Sequence, residues 1–236
     1  MNDLVLIIGG TSGIGLETAN YLLKNDYKVI ICGRRDFKST DLISVNVDIK
    51  SDESVRGLFN DIQKRYGNIN GLVFSAGITS TKKSIENFNE KIWHNILDTN
   101  VTGLLRVLKY FFPSLKKTKG RVAVINSLAA RSYSQFSGFE YTASKAALSG
   151  IVRQLAIEWS GDGIFINSVF PSVTLTPMLK KNFNDDEINQ IYKQAPIKKL
   201  AESGDTARAI EFLISKENRY MTGCGIDISG GQFLSG

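Results

Sequence analysis

The chain has 236 residues, of which 42% are hydrophobic and 22% charged, a composition that suits one globular domain. One histidine and two cysteines without metal-ligand spacing argue against a metal site and a serine–histidine triad. The net charge of +6 comes from scattered lysines, so no nucleic-acid partner is predicted, and a phosphate-rich cofactor or an acidic carrier explains the sign equally well.

Short runs rich in Val, Ile and Leu alternate with helical patterns along the chain. The predicted strands are 4–8, 28–32, 42–47, 71–74, 122–126, 165–169 and 225–228. The predicted helices are 14–24, 52–66, 89–112, 138–159 and 206–215, and Pro113 is expected to stop the third. This order predicts a doubly wound Rossmann fold, a three-layer αβα domain over residues 1–236 with a parallel seven-stranded sheet. Residues 33–41 are too few for a crossover helix, so a loop or single turn is expected there.

No apolar run reaches the roughly 18 to 20 residues that a membrane-spanning helix needs. Met1-Asn2-Asp3 leads directly into the first predicted strand, without a basic region or a cleavage site. The sequence therefore predicts a cytoplasmic protein that does not enter a membrane.

A glycine-rich loop follows the first predicted strand. Its residues are Gly9, Gly10, Thr11, Ser12, Gly13, Ile14 and Gly15. Glycines let the backbone turn tightly and let a pyrophosphate approach the N-terminus of the next helix. The G-x-x-x-G-x-G spacing differs from the G-x-G-x-x-G of other dinucleotide-binding folds, but its position between strand and helix predicts a dinucleotide site.

The end of the second predicted strand bears on the choice of cofactor. An acidic residue there would bind the ribose hydroxyls of NAD, whereas a basic residue would hold the extra phosphate of NADP. Gly33 takes the usual acidic position, and Arg34 with Arg35 can clamp a phosphate, which predicts NADP(H). NAD stays an alternative, because Asp36 is nearby and the two arginines also suit an ordinary solvated loop.

A tyrosine and a lysine stand four residues apart in Tyr141-Thr142-Ala143-Ser144-Lys145, within a predicted helix. At that spacing both side chains project from one face, so the ammonium can lower the pKa of the phenol. A phenol tuned in this way can act as an acid toward a carbonyl oxygen. The pair alone also occurs by chance on solvated helices, and the glycine loop makes the catalytic interpretation the stronger one.

Together these motifs resemble the short-chain dehydrogenase/reductase family, over residues 4–231. The resemblance implies hydride transfer between a nicotinamide and a carbonyl or secondary alcohol. It implies that Tyr141 donates the proton, Ser127 polarises the carbonyl oxygen, Lys145 binds the nicotinamide ribose and Asn100 supports a water relay. It adds to the cofactor site Asp48, Ile49, Ala76, Gly77, Tyr141, Lys145, Pro171, Thr174 and Thr176.

The chain departs from the family pattern in several places. Phe74-Ser75-Ala76-Gly77 replaces Asn-Asn-Ala-Gly, and Pro171-Ser172 replaces Pro-Gly. The serine and the tyrosine are fourteen residues apart instead of thirteen, so Asn126 competes with Ser127 as the polar partner. Ser127 is preferred because Ser127-Leu128-Ala129-Ala130 matches the family's Ser-Val-Ala-Gly, and one inserted loop residue costs little.

The resemblance implies an NADP(H)-dependent carbonyl reductase, with 3-oxoacyl-carrier-protein reduction as the leading substrate hypothesis. One alternative is an NAD(P)-dependent dehydrogenase of a sugar, polyol or cyclic alcohol. An alternative of another class is a non-catalytic module that senses the dinucleotide. Relatives also pair their long helices across symmetry axes, so a homotetramer or a dimer is expected.

Overall fold

A parallel sheet of seven strands lies at the centre of the protein. The computed structural model describes residues 3–81, 84–182 and 184–234. The strands are β1 (Leu4–Ile8), β2 (Lys28–Gly33), β3 (Ile43–Asn46), β4 (Gly71–Phe74), β5 (Arg121–Ile125), β6 (Phe165–Pro171), β7 (Thr174–Leu175), β8 (Ala201–Glu202) and β9 (Gly225–Ile228). Their order in the main sheet is β3-β2-β1-β4-β5-β6-β9, while β7 and β8 pair separately. The predicted doubly wound sheet is confirmed.

Helices cover both faces of the sheet. They are α1 (Gly13–Lys24), α2 (Asp52–Tyr66), α3 (Glu90–Leu97), α4 (Gly103–Thr118), α5 (Phe139–Ser160), α6 (Pro177–Asn182), α7 (Asp185–Gln194) and α8 (Ser203–Ile214). Successive residues of β1 face opposite layers: Leu6 packs in the cluster that includes α2, α4 and α5, whereas Ile7 packs in the cluster that includes α1 and α8. Burial on both faces explains why the strands are continuously apolar.

The predicted helix over residues 89–112 is divided and extended. A π-helical turn over Asp98–Thr102 separates α3 from α4. The expected stop at Pro113 is wrong, because α4 continues through that residue to Thr118. Pro113 is exposed, and so is Lys109, whose carbonyl loses its helical partner, so water can solvate that group. Leu115 beyond the proline is fully buried, and its packing favours continuation of the helix.

The sequence predicted the connection between β2 and β3 correctly, but not all of the connection between β6 and β9. Between β2 and β3 the chain forms no helix, as the short spacing predicted. Between β6 and β9 it forms α6, α7 and the small β7–β8 sheet, which the sequence patterns did not predict. This 174–202 segment forms part of the cavity wall described below.

Within the described ranges, no helix is both long and apolar enough to cross a bilayer. Among those same residues, no group of three or more histidine, cysteine or acidic side chains is arranged to hold a metal ion.

Candidate active site

A cavity of about 760 Å³ lies at the carboxyl ends of the central strands. The strand order reverses between β1 and β4, and open α/β sheets bind ligands at such a point. One half of the cavity is formed by the glycine loop and the ends of β2 and β3. The other half is formed by the loops after β5 and β6 and by the chain's last described residues. The topology thus places the motifs of the sequence around one space.

The glycine loop forms the floor of the first half. Gly9 has a φ of +85°, and a Cβ there would lie 2.5 Å from the Ala76 backbone nitrogen, so a larger residue is excluded. Gly15 lies behind the loop, where its Cβ would be 2.3 Å from the Gly9 carbonyl oxygen. The Ser12 side chain does not cap α1, and the first turn of that helix carries no acidic residue. The first N–H groups of α1 therefore suit an anion such as a pyrophosphate.

The two arginines after β2 occupy different positions. Arg34 lines the cavity, whereas Arg35 is exposed and is not part of the cavity wall. The Asp36 carboxylate accepts a hydrogen bond from the Asn46 side-chain amide. Of the two arginines, Arg34 is therefore the one at the cavity wall, and the Asp36 carboxylate that the NAD alternative invokes is bonded to Asn46.

Tyr141 and Ser127 meet at the centre of the cavity. Both side chains line it, and the Ser127 hydroxyl acts on the phenol in the direction that lowers the pKa of Tyr141. The Asn126 amide instead donates to the Ser149 hydroxyl at 3.0 Å and accepts from the Ser127 backbone N–H at 3.0 Å. These two contacts engage the Asn126 side chain, which leaves Ser127 as the candidate polar partner of the phenol.

Lys145 is buried one helical turn after Tyr141, in α5. Its Nζ donates to the Ile125 carbonyl oxygen at 2.8 Å and lies 5.7 Å from the centre of the Tyr141 ring. Burial lowers the pKa of Lys145 from 10.5 to about 8. Burial also raises the pKa of Tyr141, which the Ser127 hydrogen bond partly offsets by lowering it. In the polypeptide by itself, the pKa of Tyr141 is therefore raised, and not lowered as its spacing to Lys145 predicted.

Asn100 lies in the π-helical turn and is fully buried. Its Oδ1 accepts from the Ile78 N–H at 2.8 Å, and its Nδ2 donates to the Ile78 carbonyl oxygen at 2.9 Å. The same Nδ2 also lies 2.9 Å from the Ser144 hydroxyl. Asn100 therefore joins the loop after β4 to α5 from outside the cavity wall.

Most residues predicted for the site line this one cavity. Those that line it are Gly9, Thr11, Ser12, Gly13, Ile14, Arg34, Asp48, Ile49, Ala76, Gly77, Ser127, Tyr141, Lys145, Pro171, Thr174 and Thr176. Gly15, Arg35 and Asn100 do not.

A family model described as enoyl-(acyl carrier protein) reductase matches residues 9–232. The chain belongs to the short-chain dehydrogenase/reductase family. It is an oxidoreductase of the class that acts on carbonyl and alcohol groups.

The similar proteins span the whole chain. The 3-oxoacyl-[acyl-carrier-protein] reductase FabG of Staphylococcus epidermidis is 26% identical, over 99% of this chain and all of the relative. Acetoacetyl-CoA reductase of an Acinetobacter species is 29% identical over 98% of both chains. A solved structure of ElxO with NADP bound is 30% identical over 98% of both chains, with a TM-score of 0.91.

The half of the cavity formed by the loops after β5 and β6 contains residues that the motifs did not reveal. Its wall includes Leu128, Val173, Met178, Ile191 and Phe233. The last two belong to α7 and to the chain's final described segment, neither of which was predicted to reach the site. Ser144 was also missed as a partner of Asn100, although it stands inside the Tyr141–Lys145 run.

Proposed function

We propose that this protein is an NADP(H)-dependent carbonyl reductase whose leading substrate is a 3-oxoacyl thioester on a carrier. The observation that carries the proposal is that Ser127, Tyr141 and buried Lys145 line one cavity that extends to Arg34. NADP is supported by Arg34 at the cavity wall and by the NADP-bound relative at 30% identity.

The residues present fit a dinucleotide. Gly9 allows the glycine loop to pack closely against Ala76, and the uncapped start of α1 leaves its first backbone N–H groups available to phosphates. Arg34 would hold the additional phosphate, and Lys145 would bind the nicotinamide ribose. NADPH, when bound, supplies the hydride.

The polypeptide supplies the proton and orients the carbonyl. Burial keeps the Tyr141 hydroxyl protonated at neutral pH, so it can donate to the oxygen that becomes the alcohol. Ser127 lines the same cavity and would donate to the same substrate oxygen. With a pKa of about 8, Lys145 is mostly protonated at pH 7 and favours negative charge developing near the phenol.

The charges in the cavity favour a neutral acyl substrate. The charged side chains that line it among the described residues are Arg34, Asp48, Lys50 and Lys145. The first three lie near the ends of β2 and β3, and Lys145 lies beneath Tyr141. The rest of the described wall is uncharged and includes the apolar Leu128, Val173 and Met178. A neutral thioester with an acyl chain suits this wall, because a buried unpaired carboxylate would be costly.

One observation favours a dehydrogenase of a sugar, polyol or cyclic alcohol as the second candidate. The loop after β5 presents Ser132, Ser134 and Gln135 to the cavity, and such groups can bind substrate hydroxyls. Retention of both Tyr141 and Lys145 argues against the third candidate, a non-catalytic dinucleotide sensor.

We further propose a cytoplasmic homotetramer or dimer. Leu105 on α4 and Ile157 on α5 are 43% and 78% exposed, and pairing of these helices with a second copy would cover them.

Purified protein should be assayed with NADPH and NADH against acetoacetyl-CoA, other 3-oxoacyl thioesters, aldoses, polyols and cyclic ketones. We expect oxidation of NADPH with the 3-oxoacyl thioesters and slower turnover with NADH. Tyr141→Phe protein is the matched control for turnover that does not use the site. Preference for an aldose or polyol would replace the leading substrate with the second candidate. Cofactor binding without turnover across the panel would favour the sensor.

A further inference from the structure

Arg131 forms a cluster with two neighbouring strands at the edge of the sheet. Its guanidinium carbon lies 3.8 Å from the centre of the Phe170 ring, and its Nε lies 3.1 Å from an Asp227 carboxylate oxygen. Phe170 in β6 and Asp227 in β9 are partners in the strand register. The arginine therefore binds both strands at the same level, one by stacking and the other by an ion pair.

Gly225 provides the space for this cluster. A Cβ at this position would lie 2.1 Å from the Phe170 ring and 2.8 Å from Arg131 Nη2. Phe170 is buried, and the Arg131 and Asp227 side chains are only 32% and 15% exposed. The ion pair is thus partly shielded from water, which distinguishes it from the freely solvated pairs that contribute little.

Arg131 is also close to Ser127 in the chain. A single 3₁₀ turn over Leu128–Ala130 links them, with Ser127 as its N-terminal cap and Arg131 as its C-terminal cap. The Arg131 N–H donates to the Leu128 carbonyl oxygen at 2.9 Å, and the Ser127 hydroxyl accepts from the Ala129 N–H at 3.2 Å. Arg131 and Ser127 are therefore the two ends of one hydrogen-bonded turn.

We propose that Arg131, held by Asp227 and Phe170, is a positioning residue that fixes Ser127 against Tyr141. The inference rests on the proposed function. Arg131 does not line the cavity, so it acts through the serine and not by contact with substrate. The 132–137 loop that follows it forms part of the substrate wall, and the same anchor holds the start of that loop. Misplacement of a reacting group by about 1 Å can lower a rate about a hundredfold.

The test uses Arg131→Met, which keeps much of the apolar stem, and Asp227→Asn, which keeps the shape of the acid. Each is made in the wild type and in Ser127→Ala protein, and kcat, KM and NADPH affinity are measured with the carbonyl that the wild type reduces best. Lys116→Met is the matched control, because Lys116 also pairs with a carboxylate, Asp162 at 2.7 Å, and lies 5.8 Å from an aromatic ring, but away from the cavity.

We expect Arg131→Met to lower kcat about ten- to a hundredfold with NADPH affinity unchanged, and Asp227→Asn to lower it less. In the Ser127→Ala background the same changes should lower kcat less than about twofold, because a residue acting through Ser127 loses its effect when the serine is absent. Arg131→Lys, which retains the charge, should recover part of the loss, and Lys116→Met should match the wild type.

Two results would overturn the proposal: wild-type kcat in Arg131→Met, or an undiminished loss when Ser127 is already alanine. Amide hydrogen exchange of residues 127–137 gives a readout that needs no turnover. Exchange there should be faster in Arg131→Met than in the wild type, and unchanged exchange would count against the anchor. A wild type that reduces no carbonyl would overturn the proposed function. An active wild type whose kcat is unchanged by substitution of Arg131 would overturn this inference alone.

Discussion

Replacing Lys145 with methionine should change how stability depends on pH. Lys145 is buried, and its pKa is lowered from 10.5 to about 8 in the folded chain. Between these two values the unfolded chain binds more protons than the folded one, so the Lys145 contribution makes folding more favourable as pH rises. Lys145→Met protein lacks this group and should not show that part of the rise.

The size of the effect follows from the two pKa values. The difference between the pKa of about 8 in the folded chain and 10.5 in the unfolded chain corresponds to about 3 kcal/mol, at roughly 1.4 kcal/mol per pH unit. Well below pH 8, this whole amount is subtracted from the free energy of unfolding. From pH 7 to pH 9.5 the wild type should gain about 2 kcal/mol of unfolding free energy relative to the variant. The lost hydrogen bond to the Ile125 carbonyl shifts the variant by an amount that does not depend on pH, so it cancels from this comparison.

Urea unfolding of both proteins without cofactor, at half-unit pH steps, measures the difference. Lys117→Met, at an exposed position on α4, controls for the loss of one positive charge. A difference between wild type and Lys145→Met that stays flat from pH 7 to 9.5, or that falls, would refute the argument that burial depresses this pKa.

The remaining predictions concern the site and the assembly. Tyr141→Phe should retain cofactor binding and lose about a hundred- to ten-thousandfold in kcat, and near-wild-type turnover would contradict its role as the acid. Ser127→Ala should lose more kcat than Asn126→Ala, and the reverse order would reassign the polar partner of the carbonyl. Arg34→Ala should weaken NADPH binding about ten- to a hundredfold and should change NADH binding little. Arg35→Ala should have a smaller effect on NADPH binding. Equal affinity of the wild type for both cofactors would reject the NADP assignment. Sedimentation at micromolar concentration should show a tetramer or a dimer, and a monomer alone would exclude both.

The sheet could be predicted because each of its strands is buried or partly buried on both faces, which makes a short apolar run the main signal. The glycine loop could be placed because it stands between the first such run and a helical pattern. In contrast, α7 has the sequence Asp185-Asp186-Glu187-Ile188-Asn189-Gln190-Ile191-Tyr192-Lys193-Gln194, with too few apolar positions to indicate a helix. Its place in the fold depends on a few contacts, including the buried Ile191.

The site was predictable where a local pattern determined geometry, and less so where distant contacts decided it. Tyr141 and Lys145 share a helix face, which spacing alone establishes. Ser127 lies on a different element, so the sequence could not show that the adjacent Asn126 side chain is engaged by Ser149 and by the Ser127 N–H. Arg34 and Arg35 were equivalent in the sequence, but the direction of the chain after β2 brings only Arg34 to the cavity.

The paired contacts of Asn100 with Ile78 have a consequence for the loop after β4. The side-chain amide meets both the N–H and the carbonyl of one residue, so it acts as a surrogate peptide group, as a neighbouring strand would. A carboxylate at this position could accept from Ile78 N–H but could not donate to its carbonyl, and a leucine could do neither. The Asn100 side chain thus satisfies the backbone N–H and carbonyl of Ile78, which lie beyond the end of β4 and have no neighbouring strand in the described part of the chain. It also holds the adjacent Gly77 close to Lys145.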